Sequence, residues 1–96
     1  MFIVNLTYKV SLDQVDQHLA AHVAYLDRQY AAGNFLASGR KNPRNGGIIL
    51  TKLTNKETLL GLLAQDPFEQ HDLADYEILE FIPSKTCEEM AFLLEI

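Results

Sequence analysis

The chain has 96 residues, 48% of them apolar, which is enough for one small core and too few for two domains. Thirteen acidic against eight basic residues leave a net charge of -5, and the group Arg40, Lys41, Arg44 is the densest basic cluster, so nucleic acid is not an expected partner. No apolar run approaches membrane-spanning length, Met1 is followed at once by apolar residues without a basic leader, and Cys87 is the single cysteine: a membrane span, a secretory signal and an intrachain disulfide are not expected, and a cytoplasmic location is.

Residues 2–9 read as a strand rich in β-branched and aromatic side chains, and Ser11 follows as a helix N-cap with Gln14 three residues on. Leu12, Val15, Leu19, Val23, Leu26 and Tyr30 then recur at three- and four-residue steps. That spacing predicts one helix of about twenty residues with a buried apolar stripe, closed by Gly33. Residues 34–39 are a predicted strand, residues 40–47 carry the Pro, Asn-Gly and Gly-Gly vocabulary of a hairpin loop, and residues 48–53 return as a strand. Thr54 with Glu57 is a capping-box pattern for a second helix over residues 55–65, which Asp66-Pro67 ends. A polar connection over residues 69–75 leads to a last strand over residues 76–83.

The domain is therefore residues 1–83, and residues 84–96 form a tail. Met90, Phe92, Leu93 and Leu94 give the tail an apolar side, expected to pack on the domain or on a partner copy. The order strand, helix, strand, strand, helix, strand is the split βαβ pattern of ferredoxin-like domains. It predicts an α+β fold with a four-stranded antiparallel sheet and both helices on one face. Apolar residues fall on both sides of the strands, with Ile3, Leu79 and Phe81 opposite the main set. A second copy covering the helix-free face is the expectation, as a homodimer or higher homo-oligomer; the alternative is that the tail folds over its own sheet.

His22 stands out among the polar residues. It sits roughly 50° from the middle of the apolar stripe, at a border between core and cleft, where an imidazole becomes either a satisfied core group or a tuned proton carrier. Taking the first and third strands to run the same way, both helices descend from one end of the sheet. His22 then lies about 16 Å below Ser11, and Asp66 about 16 to 18 Å below its own N-cap, so the two meet at equal depth. A His held by a carboxylate has a fixed tautomer and works as a general base or acid. Alone, Asp66 is a turn residue before Pro67; jointly with His22 it is a candidate catalytic residue.

His18 precedes His22 by four residues, but two such ligands without a third make no metal site, and no metal or cofactor is expected. Tyr25, on the helix flank, either lines the cleft or packs with its hydroxyl wet. His71 and Asp72 read as surface residues, and Cys87 as an unreactive interface residue.

The strand-helix opening, His22-Val-Ala-Tyr-Leu, Ala32-Gly33 followed by Ser38-Gly39, the Gly46-Gly47 hairpin and Asp66-Pro67-Phe68 together resemble the YCII-related proteins over about residues 1–83. The resemblance implies the dimeric α+β barrel fold of small ferredoxin-like subunits and an enzyme with a His-Asp pair in a cleft. The pair falls on His22 and Asp66, and Ser38 with Gly39 matches a small-residue turn lining the same cleft. Where the family often has Pro after that Gly, Arg40 stands here and is a candidate to receive an anionic substrate group. Lyase or isomerase chemistry on a small organic substrate suits one base with one orienting acid. The alternatives are a dimer that binds or senses a small metabolite without turning it over, and a dimerisation partner for another protein.

Overall fold

A computed structural model describes residues 1–95. The elements are β1 (Phe2–Tyr8), α1 (Leu12–Gln17), α2 (Leu19–Ala31), β2 (Ala37–Arg40), β3 (Gly46–Thr51), α3 (Lys56–Leu63), α4 (Pro67–Gln70), β4 (Ala74–Glu80) and a 3₁₀ helix over Glu88–Glu95. The four strands form one antiparallel sheet in the order β2-β3-β1-β4, the predicted α+β architecture. Phe2, Val4 and Leu6 of β1 and Ile49 of β3 share one sheet face. They pack with Val15, Tyr25, Leu59, Leu63 and Phe68 from the helices into a single core. No helix among the described residues is long and apolar enough to cross a membrane.

The direction of the helices differs from the sequence expectation. β1 and β3 are antiparallel, with Phe2 opposite Thr51 and Thr7 opposite Gly46, so they do not run the same way. The path through α1 and α2 returns from the end of β1, whereas α3 returns from the end of β3 at the opposite end of the sheet. β4 then begins beside the end of β1, with Ala74 opposite Tyr8. The two helical paths are therefore antiparallel, and residues near the start of the first neighbour residues at the end of the second. His22 and Asp66 are close for that reason and not through equal descent.

The predicted first helix is also two segments. Ser11 caps α1, its hydroxyl accepting from the Gln14 amide at 3.3 Å. At His18 (φ -112°, ψ 4°) the backbone leaves helical geometry before α2 begins. Gly33 ends the path with φ 78°, a conformation that costs glycine little and other residues more. Further along, the cap of α3 is Asn55, not Thr54: the Asn55 side chain accepts from the Thr58 amide at 3.0 Å. The segment after Asp66 is not a plain connection, because Pro67 at the first position nucleates the one-turn helix α4. β3 starts two residues before the predicted strand, at Gly46, where a Cβ would lie 1.8 Å from the Leu6 carbonyl oxygen; only glycine fits there.

The largest departure is which face of α2 is buried. His22, Tyr25 and Gln29 turn into the protein, while Leu19, Val23 and Tyr30 stay exposed. The helix is thus rotated by roughly 80° from the setting its apolar stripe predicts. Each inward polar group has a partner: His22 has Asp66, the Tyr25 hydroxyl donates to the Leu62 carbonyl at 2.7 Å, and the Gln29 side-chain oxygen accepts from Asn34 at 2.9 Å. With these bonds made, inward polar residues cost little.

The assignment of the α3 cap is tested by stability. Asn55→Ala is expected to cost about 1 kcal/mol in urea unfolding, and Thr54→Ala less than about 0.5 kcal/mol. The reverse ranking would return the cap to Thr54.

Candidate functional site

Asp66 is the polar centre of the molecule, with 0% of its surface exposed. It is N-cap of α4, so its Oδ1 accepts from the Phe68 amide at 3.0 Å. The same oxygen receives His22 Nδ1 at 2.7 Å, and Oδ2 accepts from the Tyr76 hydroxyl at 2.6 Å. Three elements, α2, α4 and β4, are tied to one carboxyl group. Burial, then the charge of Asp66 and the hydrogen bond to it, push the Tyr76 hydroxyl far above its ordinary range, so it remains a donor. The Tyr25 hydroxyl is raised as well, first by burial and then by Asp66.

This donor set fixes the imidazole. With the Asp66 carboxylate accepting at Nδ1, the proton of a neutral His22 sits on Nδ1, and Nε2 carries the free lone pair. The ring lies flat on Phe68, with centroids 3.9 Å apart and planes within 3°. A hydrogen bond on one edge and an aromatic ring on one face leave the imidazole little freedom to turn. It is 9% exposed, and that opening is onto a cleft of about 240 Å³ between α2 and the β2-β3 edge of the sheet.

Leu19, Val23 and Leu26 form the helix wall of this cleft. The apolar stripe that the sequence assigned to the core is thus largely a cleft wall, which explains why its residues are half exposed. The opposite wall carries Ser38, Gly39 and Arg40 of β2. Ser38 and Arg40 share the helix-side face of the sheet, since they stand opposite Ile49 and Gly47 of β3. The Ser38 hydroxyl is 2.7 Å from the Tyr30 hydroxyl, a bond that ties the far part of α2 to β2.

Of the residues singled out in the sequence, His22, Ser38, Gly39 and Arg40 come together on the cleft, and Asp66 stands directly behind His22. Tyr25 does not line it: the side chain is wholly buried and its hydroxyl is spent on the Leu62 carbonyl, so it braces α2 against α3. His18 points elsewhere, stacked on His71 with ring centroids 4.0 Å apart. Cys87 is exposed on the tail. Two contributors were missed, Phe68 and Tyr76. A buried carboxylate demands several donors, and the aromatic residue after Asp66-Pro67 and the first residue of the predicted last strand were the signals that could have named them.

A family model described as the YCII-related domain matches residues 1–82 of the chain. A search of curated proteins gives no match. Among solved structures the chain is similar to 5-chloro-2-hydroxyhydroquinone dehydrochlorinase (TftG) from Burkholderia phenoliruptrix AC1100, in complex with 2,5-dihydroxybenzoquinone. The identity is 18%, the TM-score is 0.72, and the match covers 83% of this chain and 91% of that one. At that identity the likeness is one of fold.

The raised hydroxyls of Tyr25 and Tyr76 have a consequence at alkaline pH. Below pH 10, the ordinary phenol value, both are protonated in the folded and the unfolded chain. Above it the unfolded chain loses protons that the folded one keeps, so stability falls as pH rises. In a spectrophotometric titration these two phenols are expected to ionise together with loss of the far-ultraviolet helix signal. Tyr76→Phe should remove part of the alkaline fall and cost about 1.5–3 kcal/mol at neutral pH, the value of a hydrogen bond to a charged group. Ionisation of all four tyrosines in the intact fold would contradict this arrangement.

Proposed function

The chain belongs to the YCII-related family, and on that premise we propose that it is a proton-transfer enzyme of lyase or isomerase type acting on a small organic molecule. The observation that carries this reading is the setting of His22: Nδ1 is held at 2.7 Å by a wholly buried carboxylate, and the residue lines a cleft. Nε2 takes a proton from substrate carbon or oxygen, and the imidazolium that results lies against Asp66. Returning the proton to a neighbouring atom completes an isomerisation; expelling a leaving group completes an elimination. The fold neighbour supports the lyase side, being named a dehydrochlorinase and bound to a small oxygenated ring. Asp66 is a positioning residue, since it is sealed from the cleft and acts through His22.

Substitution separates turnover from binding. In a panel of small hydroxylated and halogenated ring compounds followed by product formation, His22→Ala should lower kcat by about 10² to 10⁴, the usual contribution of one acid-base group. In Asp66→Asn the oxygen that keeps the Phe68 amide is the one that faces His22, so the NH₂ group falls on the Tyr76 hydroxyl and the negative charge beside the imidazole is removed. This substitution should lower kcat with a smaller change in KM. A wild type that turns over nothing while a ligand binds the cleft, with His22→Ala weakening only that binding, would replace the enzyme by a binding or sensing module.

We also propose that two copies pair through the helix-free sheet face. The tail lies partly over that face, where Met90 and Leu93 line one hollow with Ile3 and Leu50. Leu79 nevertheless remains 53% exposed and Ile82 82% exposed, with Phe81 and Phe92 also open. Exposed apolar side chains such as Leu79, on the helix-free face opposite Ile3, favour a partner, and a second copy satisfies them symmetrically. Sedimentation should give twice the 10.9 kDa chain mass, and Leu79→Lys should return the monomer. A monomeric wild type at high micromolar concentration would end this proposal.

A further inference from the structure

The chain carries thirteen acidic residues, yet none of them lines the cleft beside His22. The hollow on the other side of α3 is the opposite case. It measures about 330 Å³, is rimmed by Glu69, Asp72 and Asp75, and its lysine, Lys9, is already paired with Asp72 and Asp75. In the His22 cleft the fixed charge is Arg40. Among the described residues Arg40 makes no ion pair, whereas the neighbouring Arg44 is committed to Asp16 and Lys41 donates to Asn5 and Thr7. A cleft with no acid on its walls and one uncommitted guanidinium differs from the general surface of a protein of net charge -5.

The sheet sets the place of that charge in the cleft. Arg40 stands opposite Gly47, Gly47 opposite Leu6, and Leu6 opposite Tyr76, so the four residues form one row across the sheet on the helix side. Tyr76 holds Asp66, and Asp66 holds His22. Arg40, Gly47 and Leu6 of this row line the cleft together with His22, and the backbone of Arg40 lies about two strand spacings, roughly 10 Å, from that of Leu6. Gly47 has no side chain and Leu6 supplies an apolar floor. A small molecule lying along this row places one end on Arg40 and its other end under Nε2.

We propose that the substrates of this cleft are small organic monoanions whose carboxylate or equivalent oxyanion is received by Arg40 while the reacting atom faces His22. The second half of this assignment rests on the proton-transfer reading of His22; the first half does not. Arg40 specifies which molecules enter, because a guanidinium forms paired hydrogen bonds with a carboxylate that a neutral amide cannot match. Ser38, already joined to Tyr30, closes the same wall without adding charge.

The experiment uses two probes of equal shape, 4-hydroxybenzoate and 4-hydroxybenzamide, titrated into the intact protein and followed by amide chemical shifts of residues 38–40 and 46–48. The carboxylate should bind more tightly than the amide by about ten-fold or more in the wild type. Arg40→Gln, a change at an exposed strand edge, should erase that preference, and Arg40→Lys should restore part of it. His22→Ala should leave the preference in place, so the charge selection is scored separately from the loss of turnover that tests His22. Equal affinities in the wild type, a preference that survives Arg40→Gln, or binding of neither probe would each overturn the assignment.

Discussion

A carboxylate with no exposure to water is expensive unless donors replace its hydration, and the three donors to Asp66 come from three different elements. The Phe68 amide is available because Pro67 starts a helical turn just after Asp66. The Tyr76 hydroxyl is available because β4 pairs with β1 in a register that brings Tyr76 to the helix side, opposite Leu6. His22 is available because α2 turns its polar face inward. If one donor were withdrawn the others would have to carry a buried charge with less compensation, so the placement of α2 relative to β4 and the ionic chemistry of the site are one constraint.

That constraint also explains the odd setting of α2. Ordinary packing would bury Leu19, Val23 and Tyr30, and they are instead between 37% and 46% exposed. Burying the three would gain hydrophobic stabilisation of about 25 cal/mol for each Å² removed from water. The same rotation would carry His22 away from Asp66 and break the Tyr25 bond to α3, leaving polar groups unpaired in the core. The setting observed keeps every buried polar side-chain atom among the described residues satisfied. It also leaves an apolar wall facing an opening. A residue pattern that looks like core and lies on a cleft is thus a product of polar satisfaction overriding the apolar moment.

The sequence disclosed the elements far better than their relative directions. Ser11, Gly33, the Gly46-Gly47 hairpin and Asp66-Pro67 mark boundaries through local chemistry, and these boundaries stand to within a few residues. The pairing of His22 with Asp66 was also legible, though through an incorrect geometry: a shared depth on parallel helices gives the same pair as an antiparallel crossing near the end of one helix and the start of the other. Local signals carry no information on which way β3 runs relative to β1; the ladder from Phe2 opposite Thr51 to Thr7 opposite Gly46 does. The burial of Tyr25 was illegible for a similar reason, because its hydroxyl partner is a backbone carbonyl at Leu62, and any helix end offers such a group. Asn55 in place of Thr54 as cap is a one-residue choice between two good capping residues, settled by where the chain leaves β3.

On the proton-transfer reading proposed for His22, the donors on Asp66 bear on how a proton would pass through the ring. Phe68 and Tyr76 hold the carboxylate whether or not the imidazole is charged, so the negative group is in position before any proton arrives. When Nε2 gains a proton, a neutral ring beside an anion becomes a buried ion pair with its hydrogen bond already formed, and no side chain need move. Stabilisation that precedes the charge it serves costs no reorganisation at the moment of transfer. The flat contact with Phe68 works in the same sense, since a ring 3.9 Å away resists rotation of the imidazole between accepting a proton and returning it. Two of the three donors to the carboxylate, the Phe68 amide and the Tyr76 hydroxyl, are thus the same in either state of the imidazole, and only the third is the group that would change its charge.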